Sequence, residues 1–524
     1  MKMRLAAGAA VATVALGLAA FASDGIGNLS LVSTTGNPTL GATAKLALSG
    51  PSGAIYTLSM GLPGGGNIPL VGPVDIALPY FVTMANGALP GSGDLIFIQP
   101  VPVAPALVGL EVVYQAAAVD GSSPTGIGIS NPVRIEIAPT STFAFAEVPT
   151  AMPILPVANG LEPVVGDVDG DGDIDAYVPT MSANLMNLAA VNVLLLNGGA
   201  GTFSDASATQ LPAVLESSVC AVLADLDGDF DLDLAVGNGI DSIVLQLPTV
   251  SHLYSNDGTG HFTLAADFPG GADYVSSLAA GDADGDGDID LVMGRNGNGA
   301  GAPERLLLND GAGNFTDGTS GPGTGIPAFT DATSRVILAD VDKDGDPDLV
   351  VGNYGTSGAR LHRNNGAGLF TTLAGAFPSS NSAWLSDLAV ADLNGDGDVD
   401  AVGIALPSGS GTSFVRVYAN NGSGVYSYLS NGVTGMPATP DLVDVGLGDL
   451  DGDGDVDVVA AGLSSGADWL LLNNGTGNFT VSTAQVAAPA WTRNPIPLDA
   501  DGDNLLDLLY SANAPNGTAR LLLR

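Results

Sequence analysis

Asp167-Val168-Asp169-Gly170-Asp171-Gly172-Asp173-Ile174-Asp175 returns six more times along a chain of 524 residues, and that return decides the fold. The later copies start at Asp225, Asp282, Asp340, Asp392, Asp449 and Asp499, in steps of 58, 57, 58, 52, 57 and 50 residues. So acidic a motif at so even a spacing is the skeleton of a repeat protein.

The residues of one copy point to a cation. Carboxylates at positions 1, 3 and 5 of a tight loop project towards a common point. Glycine at position 6 permits the turn that adds a position-7 carbonyl and a position-9 carboxylate. Hard oxygens in that number suit Ca²⁺, whereas Mg²⁺ would demand stricter octahedral geometry and retain more water. An EF-hand also opens D-x-D-x-D-G, yet it closes with Glu at position 12. Here that position holds Val178, Val236, Met293, Val351, Gly403, Ala460 or Tyr510, and a β-type apolar run such as Leu291-Val292-Met293 follows instead.

Four copies keep every ligand and the glycine. They are Asp167, Asp169, Asp171, Asp173 and Asp175; Asp282, Asp284, Asp286, Asp288 and Asp290; Asp340, Asp342, Asp344, Asp346 and Asp348; and Asp449, Asp451, Asp453, Asp455 and Asp457. The copy of Asp392, Asp396, Asp398 and Asp400 has Asn394 at position 3, whose amide oxygen still coordinates. In the copy of Asp499, Asp501, Asp503 and Asp507, Asn504 replaces the glycine and Leu505 stands at position 7. The copy of Asp225, Asp227, Asp229, Asp231 and Asp233 puts Phe230 at position 6, a bulky residue poorly suited to positive φ. That loop is expected to be distorted, weak or empty.

Composition agrees with metal loops. The formal net charge is −41 with 14 basic residues, which argues against nucleic acid and anionic membrane as partners. Of the 55 acidic residues, 33 sit in the seven loops, and seven Ca²⁺ ions would bring the charge to about −27. The single cysteine, Cys220, excludes an intramolecular disulfide; within Val219-Cys220-Ala221-Val222 it reads as a buried, inert thiol.

Residues 1–22 read as a secretory signal: Lys2 and Arg4, an apolar run from Leu5 to Leu18, then Ala20-Phe21-Ala22 for cleavage. No later run is long and apolar enough to span a membrane, and the C-terminal residues show no sorting segment. Residues 23–138 carry no aspartate motif. Seven short β-type runs alternate there with Gly/Pro turns, over 29–33, 44–48, 55–60, 76–83, 95–99, 110–118 and 133–137. That pattern predicts a small immunoglobulin-like β-sandwich serving as spacer or docking module.

Residues 139–524 follow one grammar. An apolar run leads into each aspartate loop, a second leaves it, a third ends in an Asn/Gly turn such as Asn309-Asp310-Gly311-Ala312-Gly313, and a fourth starts at an aromatic, here Phe315. Four short antiparallel strands per unit make a propeller blade. The seventh unit stops at Leu521–Arg524, its third strand, while Thr142-Phe143-Ala144 stands ahead of the first unit as an orphan fourth strand. Joining the two closes seven blades and removes exposed edges. The predicted architecture is all-β: a seven-bladed propeller preceded by the sandwich.

The units resemble FG-GAP/VCBS-type repeats, the family that includes the calcium-loop blades of integrin α-subunits. The D-x-D-x-D-G-x-x-D loop, the strand after it and the N-D-G-x-G-x-F turn carry the resemblance over 141–524, and Gly301-Ala302-Pro303 spells the family's second tag. It implies that the matching aspartates are Ca²⁺ ligands on the face where first and second strands meet. Phe230, Asn504 and Leu505 depart from the pattern.

Function is less legible. One reading is a non-enzymatic binding or adhesion module for an extracellular polysaccharide or surface protein, with its ligand on the face opposite the metal loops. Eight residues before each first aspartate stand Asn159, Ser217, Tyr274, Ala332, Trp384, Asp441 and Trp491. Tyr274, Trp384 and Trp491, with Arg335 and Arg493 nearby, would floor a sugar site at the channel mouth; alternatively they pack between blades. A second reading, by resemblance, is a polysaccharide lyase, which needs a base and a charge-neutralising group in one pocket. The only histidines, His252, His261 and His362, map to outer strands and turns. A third reading is a structural component of an extracellular matrix or surface layer.

Overall fold

The computed structural model describes residues 145–147, 152–153, 158–182, 189–240, 246–354, 358–378, 383–407, 413–429, 433–436, 441–462, 468–482, 492–503, 505–512 and 519–524. It also gives the backbone of the strands between Ser30 and Glu136. Two units divide the chain, Met1–Ser141 and Thr142–Arg524.

In the first unit, Val133–Glu136, Glu111–Val119, Ile55–Gly61 and Val82–Ala88 form an antiparallel sheet in that order, with Ile127–Ile129 added to Glu111–Val119. A second sheet orders Ser30–Ser33, Thr43–Ser49 and Asp94–Pro100. The strand expected over 76–83 is instead the end of one strand, Gly72–Ile76, and the start of another, Val82–Ala88. The signal segment 1–22 and the side chains of the expected sandwich lie outside the described residues.

The second unit is a seven-bladed propeller. Blade 2 shows the plan: Ser218–Ala224, Asp233–Asn238, His252–Ser255 and Thr263–Asp267 pair in sequence order as an antiparallel sheet. The other first strands are Val164–Gly166, Val275–Gly281, Ala332–Ala339, Ala383–Ala391, Leu442–Gly448 and Thr492–Leu498. The seventh sheet takes its outermost strand from the front of the unit: Ala146 pairs with Leu523 and Glu147 with Leu522. The ring closes as expected, with the described pairing at 146–147; Thr142-Phe143-Ala144, the stretch expected to supply that strand, lies outside the described residues. Phe143 and Phe145 alternate two apart, so sequence alone leaves that register open by one pleat. Phe145 packs against the core shared by blades 6 and 7.

Second strands are buried along their length, as in Asp233–Asn238 and Asp457–Gly462. Each is covered on both sides, which is why its sequence is a continuous apolar run instead of an alternation. Among the described residues seven apolar clusters stand between consecutive blades. One joins blade 1 (Ala176, Leu195, Phe203) to blade 7 (Leu509, Leu521). Stability therefore resides in the joints between blades. The aromatic after each turn fills a joint: Phe262, Phe370 and Phe479 are almost fully buried. Cys220 is buried and free, and burial pushes its thiol pKa up. Among the described residues no helix is long and apolar enough to cross a membrane.

Candidate metal centres and the opposite face

Every aspartate loop joins the first strand of a blade to its second. In the first loop the Gly170 and Gly172 N–H groups donate to Asp167 Oδ1 and Oδ2 at 2.8 and 3.0 Å. Equivalent pairs form on Asp282, Asp392 and Asp449. Position 5 accepts from position 7, as in Asp173 N–H to Asp171 Oδ1 at 3.0 Å. These short side-chain-to-backbone turns fold the loop back on itself.

The sequence pattern missed one geometric demand. Position 4 as well as position 6 is left-handed, with φ of 76° at Gly170 and 95° at Gly172. Lys343 meets that demand at position 4 with φ of 63°, and its Nζ forms an ion pair with Asp398 of the next blade. Phe230 meets it at position 6 with φ of 74° while its ring stands 93% exposed. The distortion expected at that loop is absent: Gly228 and Phe230 N–H still donate to Asp225 at 2.8 and 3.1 Å. The loop's own hydrogen bonds hold the phenylalanine in a conformation that its side chain disfavours.

Position 9 opens the second strand and is a buried staple. Asp233 Oδ2 accepts from Leu226 N–H at 3.0 Å, and its Oδ1 accepts from Asn256 N–H at 2.9 Å in the Asn/Gly turn. Asp175, Asp290, Asp348, Asp400 and Asp457 repeat both bonds. At Asp507 the turn residue is Arg524, whose N–H donates at 2.8 Å. The turn's asparagine then reaches back one blade. Asn256 Nδ2 donates to the Val168 carbonyl at 2.8 Å, Asn309 to Leu226 at 2.7 Å, and Asn473 to Leu393 at 2.8 Å. Each acceptor is position 2 of the preceding aspartate loop, so the loops are stitched around the ring. Sequence reasoning took these asparagines as turn formers only. Their recurrence as Asn, where Asp also suits a turn, was the available signal.

Among the described residues, at least five loops bring acidic oxygens together. Asp167, Asp169 and Asp175 place one oxygen each within 4.8 Å of one another, as do Asp225, Asp227 and Asp229; Asp282, Asp284 and Asp290; Asp340, Asp342 and Asp344; and Asp449, Asp451 and Asp453. Position 7 turns its carboxylate elsewhere: a Cβ on Gly258 would sit 2.5 Å from Asp231 Oδ2, so that side chain faces the turn. Three position-3 oxygens, Asp227 Oδ1, Asp284 Oδ1 and Asp342 Oδ1, are buried with no hydrogen-bond partner. Burial, and then neighbouring aspartates, raise the carboxyl pKa values of these three. Burial lifts Asp175, Asp233 and Asp290 to about 6 and Asp457 to about 9. Crowded carboxylates with orphaned oxygens are a donor set suited to a hard cation. For Asn504, at position 6 of the seventh loop, the expectation lies outside the described residues.

The opposite face carries the other candidates. Tyr274 leads into blade 3 and its hydroxyl donates to the Gln246 carbonyl of blade 2 at 3.0 Å. Trp384 stands 45% exposed on blade 5, two blades away, and Trp491 lies outside the described residues. Arg335 is engaged: its guanidinium pairs with Glu162 and donates to Asp387 Oδ1 at 2.9 Å. Glu162 belongs to blade 1 and Arg335 to blade 4, so the pair spans the central channel. Both stand five residues before a first aspartate, in a column that continues through Cys220, Ser277, Asp387, Asp444 and Asn494. A β-bulge precedes that position in blades 2 to 6 and re-aims its side chain. Burial and the Asp387 charge raise the Asp444 carboxyl, while Arg493 and Arg335 pull it down.

The histidines do not converge with that column. His362 is buried in blade 4, and His261 is exposed near Asp257. His252 lies on the third strand of blade 2, with Nδ1 2.9 Å from Asp267 and Nε2 3.6 Å from buried Glu216. Arg305 holds the equivalent place in blade 3, between Asp273 and Asp317.

A family model for the FG-GAP-like repeat matches residues 237–293, 340–403 and 449–510. No curated protein matches the chain. Among solved structures, a DUF4784 family protein from Bacteroides caccae is 11% identical, covering 89% of this chain and 98% of that one, with a TM-score of 0.28. NanB with Optactamide is 10% identical over 92% and 83%, with a TM-score of 0.29. A tetra-tandem repeat from the extending region of a large adhesion protein is 14% identical over 88% and 99%, with a TM-score of 0.14. At such scores none of the three bears on fold or function.

Proposed function

The chain is an FG-GAP repeat protein, and we propose that it is a secreted propeller, stiffened by Ca²⁺, that binds an extracellular polysaccharide or surface protein without catalysis. The observation that carries this reading is the division of labour between the two faces. One face gathers carboxylates with buried, unpartnered oxygens at Asp227, Asp284 and Asp342. The other leaves Trp384 exposed and carries the sequence-variable lead-ins to the blades. Positions 1, 3, 5 and 9 of each loop, with the position-7 carbonyl, would hold the ion. Bound Ca²⁺ supplies charge that offsets the repulsion among these aspartates and braces loops already stitched blade to blade. Rigidity without disulfides is useful to a protein outside the cell, and residues 1–22 supply the export signal in this reading. Residues 23–138 would serve as spacer or docking module.

The test is a panel of polysaccharides in Ca²⁺ buffer and in chelator, following column retention and the ultraviolet absorbance of unsaturated uronate together. Calcium-dependent retention with flat absorbance supports the binding module. Growing absorbance contradicts it and makes the protein a lyase.

A further inference from the structure

The aspartate loops are alike in their acids and unlike in their cations. Every lysine and arginine of the propeller lies among the described residues. Among those residues none forms an ion pair with an aspartate of the loops in blades 1 to 3. The loops of blades 4, 5 and 6 each have a basic side chain against them.

In blade 4 it is Arg363, the last residue of the third strand, whose Nε lies 3.2 Å from Oδ2 of Asp342 at position 3. Its Nη2 donates to the Ser423 carbonyl in the turn of blade 5, which holds the guanidinium at a second point. The same place in blades 1, 2, 3, 5 and 6 holds Leu196, Ser255, Leu308, Ala419 and Leu472. Ser255 Oγ stands 3.5 Å from Asp227 Oδ2, so in blade 2 the place also faces position 3, with no charge to offer.

In blade 5 the cation is Lys343, which arrives from position 4 of the preceding loop, where the other six loops have glycine. Its Nζ pairs with Asp398. That hydrogen bond raises the lysine pKa, and the charges of Asp398, Asp396 and Asp392 add to the rise. In blade 6 it is Arg524: Nη2 donates to the Asp451 carbonyl at 2.6 Å, and a Cβ on Gly452 would lie 3.6 Å from Nη1. Burial lowers the Arg524 pKa, and the charges of Asp451, Asp449, Asp503 and Asp457 oppose that.

A fixed cation beside crowded carboxylates acts in two directions. It relieves their repulsion when no ion is bound, and it repels a divalent ion drawn to the same oxygens. Affinity in oxygen sites follows the charge of the ligand set, so loops of like geometry and unequal charge bind unequally. Asn394, in place of an aspartate, lowers the charge of the fifth loop further.

We propose that Arg363, Lys343 and Arg524 divide the calcium sites into two classes. The loops of blades 1 to 3 bind the ion tightly and depend on it, whereas those of blades 4 to 6 bind it more weakly and keep their shape without it. The inference rests on the calcium reading above and goes beyond it, by assigning unequal affinity to loops of like sequence.

The test is a calcium titration of the chelated full chain against a chromophoric chelator, with melting followed in chelator and in Ca²⁺. In the parent the affinities should fall into two classes at least tenfold apart, with three ions in the tight one. Arg363→Gln and Lys343→Gln each remove one charge and keep a polar side chain. Each should raise the affinity of one weak ion about fivefold and leave the tight class unchanged. Each should also lower the melting temperature more in chelator than in Ca²⁺, a difference that loss of packing alone would not produce. A single affinity class, or variants that bind calcium as the parent does or more weakly, overturns the two classes and leaves the calcium reading standing. A chain that binds no calcium overturns both.

Discussion

Asn197 of the first blade donates its side-chain amide to the Ala500 carbonyl of the seventh, 2.8 Å away and 303 residues later. The bond closes a circuit that Asn256, Asn309, Asn364, Asn420 and Asn473 continue from blade to blade. In the blade without a seventh asparagine, Arg524 Nη2 reaches the Asp451 carbonyl of blade 6 at 2.6 Å. The aspartate loops are thus one connected belt, and loss of a link should be felt at a blade joint.

Asn309→Ala tests the belt. It deletes side-chain bonds to Leu226, Ile289 and Asp310, two of them to backbone carbonyls in the aspartate loops of neighbouring blades. Unfolding in urea should show a loss of about 2–3 kcal/mol. A change within about 0.5 kcal/mol, the scatter of ordinary surface substitutions, would show that the asparagine is only a turn residue.

Phe230→Gly should stabilise the protein, against the usual cost of glycine. The site is left-handed and the ring is exposed, so nothing packed is lost. A gain of about 1 kcal/mol in thermal or urea unfolding is expected. A loss of stability would mean that the ring contributes more than its backbone costs.

The aspartate loops, the blade count and the ring closure were legible because the period is visible and the acidic residues identify themselves. What the sequence hid is what depends on reach across blades. Arg335 stands 173 positions after Glu162, and only the ring brings them together. The column five residues before each first aspartate does mix acids and arginine, a weak signal that alignment of the units exposes. The distortion expected at Phe230 is absent for a different reason: propensity disfavours its conformation, and the loop's hydrogen bonds override propensity.

Arg335→Met should cost about 3 kcal/mol, because it leaves Asp387 largely buried and Glu162 without its partner. Combining it with Asp387→Asn should recover part of that loss. Two additive losses would show that the channel pair carries no coupling.

His362 gives the protein an acid-side weakness. Burial, and then the Arg360 charge, lower its pKa to about 4. An unfolded histidine titrates near 6.5, so the unfolded chain takes up the proton first. The stability His362 contributes is complete above about pH 6.5 and is lost as pH falls towards 4, by roughly 3 kcal/mol. The difference between the unfolding curves of the parent and His362→Phe should open across that window. Parallel curves would contradict the assignment.

Calcium is the centre of the account, and equilibrium dialysis paired with thermal melting tests it most directly. The dialysed protein should hold at least the five ions that the converging clusters provide for, and chelation should lower the melting temperature by at least 10 °C or so, with recovery on adding Ca²⁺ but not Mg²⁺. A protein that holds no calcium and melts at the same temperature in chelator would contradict the account at its root.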